Sequence, residues 1–168
     1  MASQPRSAQE QHRRAVAAYV AAGGQEAVQR VITAVHGLTR KLDQWYGREL
    51  ADLELTQGEW AVLASLARAG EPLTPSVLAD LTNVAPSSMT HRLDKLADRG
   101  LVDRAPDPDN RTRILVSLTH DGWETFSHAV RDWDVVESDV LQDLTDAERD
   151  ELARMLEVVI ARLDTIEG

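Results

Sequence analysis

Apolar residues recur at spacings of three and four along most of the chain, which predicts a largely helical protein. Residues 9–22 read as a short helix ended by Gly23-Gly24. Residues 25–50 read as a longer one, with Val28, Val31, Ile32, Val35, Leu38, Leu42, Trp45 and Tyr46 in phase. Thr56 and Glu59 have the spacing of a capping box and open a helix that closes near Gly70. Thr74-Pro75 starts a short helix to Leu81, by N-cap and by proline at the first turn. Asn83 suits the left-handed turn that follows. A further helix spans 87–98, with Met89, Leu93 and Leu96 on its apolar side and Gly100 as its stop.

The period then changes. Residues 101–104 and 113–118 read as strands, and the turn formers of APDPDNRT make them a hairpin with a long exposed tip. Thr119 opens a helix to about Leu141, and a second capping box, Thr145 with Glu148, opens the last one. That last helix carries Leu152, Met155, Leu156, Val159, Leu163 and Ile166 on one stripe, widened by Val158 and Ile160. A helix apolar over more than one face is buried from two sides. A second subunit supplies the extra side; a monomeric bundle with a broad core is the alternative. The expected fold is mainly α with a small β-hairpin. Its parts are a disordered tail (1–8), N-terminal helices (9–52), a helix-turn-helix with hairpin (53–120) and C-terminal helices (121–168).

Composition narrows the function. A chain of 168 residues buries about 70% of its unfolded surface and needs no covalent staple. The absence of cysteine removes disulfides, thiolate nucleophiles and thiolate metal sites. The polar start lacks a signal peptide's apolar core, and no apolar run approaches the ~20 residues of a membrane span, so a cytoplasmic protein without membrane contact is expected. The net charge of −10 is unevenly spread. Residues 1–52 carry +2, residues 53–120 carry −2, and residues 121–168, with 4 basic and 14 acidic side chains, carry −10. The middle of the chain is close to neutral, and the local field of the contacting face decides DNA binding, so acidity overall does not exclude it.

Helix, short helix, turn, helix and hairpin in succession make a winged helix-turn-helix. Ser87, Ser88, Thr90, His91 and Arg92 lie opposite Met89, Leu93 and Leu96, as base- and phosphate-contacting side chains of a recognition helix would. Ala85 stands where a capping side chain would be, leaving the amides of Ser87 and Ser88 for an outside acceptor such as a DNA phosphate. Arg104, Arg111 and Arg113 sit on the hairpin; arginine on such a loop fits a narrow minor groove. Arg111, nearer the tip, is expected in the groove and Arg113 on the phosphate backbone. Ile114 and Val116 are expected to face the core. The competing reading makes the helix face ordinary solvated surface and pairs the loop arginines with Asp107 and Asp109.

The motifs LT-x₃-W-x-VL, LT-x₃-LA, MTHRLDKLADRGLV and DPDNR…VSLTHDG occur in order within residues 55–122. Together they resemble the winged-helix core of the MarR family, the multiple antibiotic resistance regulators. The resemblance implies a homodimeric transcription regulator, a repressor that reads a palindrome in double-stranded DNA, with its terminal helices as dimer interface. The family's wing often carries Asp-x-Arg six residues before Leu-Thr; here those positions are Asn110 and Thr112, flanked by Arg111 and Arg113. Ala85 replaces the usual Ser or Thr.

The resemblance also implies release by a small anionic or aromatic ligand, for which Arg40, Trp45, Tyr46, Trp60 and Arg92 are the candidates. The three aromatics follow the apolar spacing and also read as core. The helix at 9–22 resembles an extension in the urate-responsive branch, but that branch places a tryptophan there and this helix has none, its aromatic being Tyr19, so urate is not carried over.

Other chemistries find less support. The five histidines lack metal-site spacing, and His128 with Asp132 is too small a set for a metal. Phosphate-binding glycine loops are absent, and nothing marks the C-terminal carboxylate pairs as desolvated. No cofactor, metal or enzymatic activity is expected. A winged-helix protein-interaction module without DNA binding is the rival function.

Overall fold

Capping side chains start most of the helices. The computed structural model describes residues 7–167. Helix α1 (Ala8–Ala21) begins at a capping box that the sequence reading did not use. The Ser7 hydroxyl accepts from Glu10 N (3.2 Å) and the Glu10 carboxylate from Ser7 N (3.3 Å). The expected frayed tail is thus shortened: Ser7 is the cap and Ala8 is helical, while residues 1–6 lie outside the described residues. Gly23, at φ +100°, turns the chain into α2 (Glu26–Asp52), which packs against α1. Thr56 and Glu59 form the expected capping box (2.8 and 3.2 Å) and open α3 (Gln57–Ala69).

The chain divides into two compact units, one ending at Ala61 and one starting at Val62, with α3 running through the division. In the first, Val16 and Thr33 are buried between α1 and α2, and Leu50 and Leu55 are also buried.

In the second unit, Thr74 caps α4 (Pro75–Leu81) by accepting from Val77 N at 3.3 Å. The turn that follows is closed by Val84 N on Ala79 O (3.0 Å) and by the Thr82 hydroxyl on Leu78 O (2.7 Å). Asn83 takes the left-handed conformation there (φ +49°). Helix α5 (Pro86–Asp98) ends at Gly100, which is also left-handed. Strands β1 (Val102–Pro106) and β2 (Ile114–Leu118) pair antiparallel, Val102 opposite Leu118 and Pro106 opposite Ile114. Leu73 adds a bridge on the free edge of β2, exchanging bonds of 2.9 and 2.8 Å with Val116.

The core of this unit collects Leu63, Leu66, Leu78, Met89, Leu93, Leu96, Val102 and Val116, each at most 3% exposed. Each fully buried aliphatic side chain contributes about 1.5–3 kcal/mol of transfer free energy, so this cluster decides which face of α5 points outward. The hairpin runs further toward its tip on β1, and begins later on β2, than the spacing predicts. Val116 is buried as expected, but Ile114 is 40% exposed. The two share a face of the strand; Ile114 stands nearer the tip, past the reach of the core.

Thr119 caps α6 (His120–Val140), accepting from Gly122 N at 2.9 Å, and its hydroxyl donates to Gly100 O at 2.7 Å. The second capping box, Thr145 with Glu148, opens α7 (Asp146–Glu167). The backbone and hydroxyl of Thr145 hold the Glu148 carboxyl below its usual range. A depressed carboxyl stabilises above its unfolded pKa and loses that contribution as pH falls through the folded value. Nearly every residue of α7 is exposed, including Val158, Ile160 and Leu163.

Gly122 is where α6 meets the start of the wing. A Cβ built there would lie 2.0 Å from Leu101 O and 3.0 Å from Leu101 C, and backbone atoms have no rotamer by which to move aside. Gly122→Ala should therefore destabilise by about 2–3 kcal/mol, at the upper end for overpacking, read as a lower urea midpoint with an unchanged slope.

Candidate nucleic-acid interface

Burial of Met89, Leu93 and Leu96 turns the opposite side of α5 to solvent. Ser87, Ser88, Thr90 and His91 are exposed and Arg92 is half-buried, so the five residues predicted for recognition share the outward part of one helix. Ala85 is the N-cap and offers no side-chain bond. Pro86 has no amide hydrogen, and the first intrahelical bond of α5 is Met89 N to Ala85 O, 3.1 Å. Two amides, those of Ser87 and Ser88, are left pointing out of the helix end, where partial positive charge concentrates. The Thr90 hydroxyl donates to Pro86 O (3.1 Å), which leaves its oxygen to accept. Among the described residues, His91 and Arg92 make no ion pair.

The wing tip organises itself. Asp107 is buried to 8% exposure, and its Oδ1 accepts from Asp109 N at 2.9 Å. Its backbone closes the hairpin with Arg113 O (3.0 Å) and accepts from Asn110 N (3.2 Å). Asn110 Oδ1 takes both the amide and the hydroxyl of Thr112, at 3.2 and 2.7 Å. A tip closed by these short-range bonds loses little freedom on docking.

The three wing arginines take different positions. Arg104 pairs with Asp94 of α5 at 2.8 Å, tying β1 to the helix rather than presenting a free cation. Arg113 Nη1 lies 3.8 Å from Asp107 Oδ2. Arg111 is exposed and makes no ion pair with a described residue. Both Arg111 and Arg113 lie in the loop before β2, outside strand alternation. Asp94 was absent from the sequence-predicted residues, and Asp107 entered only as a partner for the loop arginines, as Arg113 finds it. Asp107 carries a legible signal, as the first Asp of a DPDN turn; nothing in the spacing of Asp94 and Arg104 announces their pairing.

The candidate ligand residues do not form one cluster in either unit. Trp45 and Tyr46 are in contact, ring centroids 4.8 Å apart at 51°, and both are half-buried, as is Trp60. Arg40 is exposed on α2, and Arg92 belongs to the other unit. His128 and Asp132 form an exposed pair at 2.8 Å, and no group of three or more potential metal ligands occurs among the described residues. No described helix is long and apolar enough to cross a membrane.

Known proteins share this sequence pattern and fold. The MarR family model matches residues 55–120. An HTH-type transcriptional regulator of Mycobacterium bovis is 36% identical over 104 residues, covering 62% of this chain and 72% of the relative. The multiple antibiotic resistance protein MarR of Escherichia coli is 32% identical over 88 residues, 52% of this chain and 60% of that protein. Among solved structures, wild-type Escherichia coli MarR in its apo form superposes with a TM-score of 0.65 at 27% identity, covering 75% of this chain and 93% of that one. A mutant of the same protein complexed with operator DNA gives 0.62 at 27% identity, covering 75% and 90%. The chain belongs to the MarR family of winged helix-turn-helix transcriptional regulators.

Proposed function

We propose that this chain is a homodimeric repressor that binds a palindromic operator in double-stranded DNA and is released by a small anionic or aromatic effector. The observation that carries the reading is the outward end of α5: two unclaimed amides beside His91 and Arg92, with the free Arg111 on a preorganised wing. The structure of an Escherichia coli MarR mutant with operator DNA supports it, because that protein shares this fold. Ser87 and Ser88 meet phosphates; Thr90, His91 and Arg92 meet base edges in the major groove. Arg111 enters the flanking minor groove and Arg113, partly satisfied by Asp107, lies on the phosphate backbone.

A second copy is favoured by apolar surface. Met155, Val159, Leu163 and Ile166 lie along α7, and Val135, Val136 and Val140 along α6, all exposed. A patch of this kind marks an interface in a soluble protein. Two copies would place two recognition helices at the spacing of two operator half-sites. An effector then acts only through a difference in its affinity for two spacings of those helices; Trp45, Tyr46 and Trp60, all in the first unit, are its proposed contacts.

Titration of a fluorescent operator duplex at two salt concentrations tests DNA binding. Affinity should fall steeply with salt, and Arg113→Ala should weaken all duplexes alike and reduce the salt slope by about one. Arg111→Ala should cost more on A·T-rich flanks than on G·C-rich ones. Reversed behaviour exchanges the two roles. If no duplex binds and neither arginine matters, the chain is a protein-interaction module.

Sedimentation tests the dimer. Val159→Glu with Leu163→Glu should give monomers that bind the full operator at least tenfold more weakly, whereas a wild-type chain that sediments as a monomer removes this reading.

A further inference from the structure

Helices α1 and α2 form an antiparallel hairpin whose outer side carries a cleft of about 510 Å³. One end carries two cations, Arg40 and Lys41, with His36 one turn before them on α2. His12 stands at the middle, its Nδ1 3.3 Å from the Thr33 hydroxyl. The same hydroxyl donates to Gln29 O, so His12 meets α2 where the Thr33 side chain is tied to its backbone. Tyr19, 54% exposed, forms the other end. The cleft runs along α1 from Ala8 to Tyr19, about 16 Å at 1.5 Å per residue.

Two features set this cleft apart from ordinary solvated surface. Among the described residues no carboxylate lines it, in a chain that has 28 acidic residues against 18 basic ones. Arg40 and Lys41 make no ion pair with any described residue. Gly37 forms part of the lining, in the middle of a 27-residue helix where glycine is a poor former. A Cβ there would meet nothing within 4 Å, so no packing within the unit demands the glycine. Its effect is to keep the cleft open.

We propose that this cleft binds an organic phosphate of nucleotide length. The dianionic phosphate sits on Arg40 and Lys41 with His36, since two full cations match its charge and guanidinium offers a two-pronged fit to its oxygens. The ring system lies over Gly37 toward His12 and Tyr19, whose exposed aromatic face supplies stacking. This site lies wholly within the N-terminal unit and does not depend on DNA binding.

Calorimetric titration of the full chain with adenosine 5′-monophosphate tests it. One site per chain should saturate, with adenosine and inorganic phosphate each binding at least tenfold more weakly. Arg40→Gln with Lys41→Gln, both exposed, should lower affinity at least tenfold with an unchanged circular dichroism spectrum, and Tyr19→Ala should lower it three- to tenfold. Gly37→Phe should block binding by filling the cleft. Arg92→Ala with Arg111→Ala should leave nucleotide affinity unchanged; a loss there would mean that the probe occupies the DNA-reading face, and would overturn the proposal. Nucleotide binding no tighter than that of inorganic phosphate would overturn it too. So would cleft variants that change the oligomeric state and leave nucleotide affinity intact, because the cleft would then be a contact between copies.

Discussion

The burial of Met89, Leu93 and Leu96 in one core with Leu78, Val102 and Val116 is the constraint on which the winged-helix unit rests. Those residues come every third or fourth position on α5, so burying them fixes the rotation of the helix about its own axis. Rotation in turn decides that Ser87, Ser88 and His91 face outward. Loss of one large buried side chain costs about 2–5 kcal/mol, comparable to a sizeable part of a domain's net stability. The outward face of α5 is therefore held by apolar packing on its hidden side more than by any polar contact of its own.

The wing is fixed to that helix in two ways of different strength. Val102 and Val116 bury the base of the hairpin in the same core. The Arg104–Asp94 pair, half exposed, adds direction rather than much energy, since solvent-exposed pairs contribute at most about 1 kcal/mol. Beyond Arg104 the hairpin leaves the core, which is why Ile114 is exposed although its strand partner in phase, Val116, is buried. The tip then depends on Asp107 and Asn110, whose side chains satisfy backbone amides that no strand can reach. Arginine is thereby presented on a shaped loop.

The acidic C-terminal helices complement this arrangement. With 14 acidic side chains concentrated in residues 121–168, residues 53–120, which hold α5 and the wing, carry only −2 of the chain's −10. The same segment carries the exposed valines, isoleucines and leucines of α6 and α7, so exposed apolar surface and acidic charge share one part of the chain.

Sequence by itself determined the order of elements, because their signals are local. Three- and four-residue periodicity, Thr56 with Glu59, Thr145 with Glu148, Thr74 before Pro75 and the left-handed Asn83 and Gly100 each act within a few residues of chain. It also determined the outward set on α5, since an apolar stripe implies its own opposite face. The capping box at Ser7 and Glu10 was legible in the same way, and moves the start of α1 to Ala8. Tertiary structure alone decided what depends on contacts across the chain. It set how far the core reaches along β2, leaving Ile114 outside, and it paired Arg104 with Asp94 while Arg111 makes no ion pair with a described residue. It also gathered Tyr19 and His12 of one helix and Arg40 and Lys41 of the next around one cleft that Gly37 leaves open. Periodicity records which residues are buried, but not where a packed layer ends or which distant charge arrives opposite another.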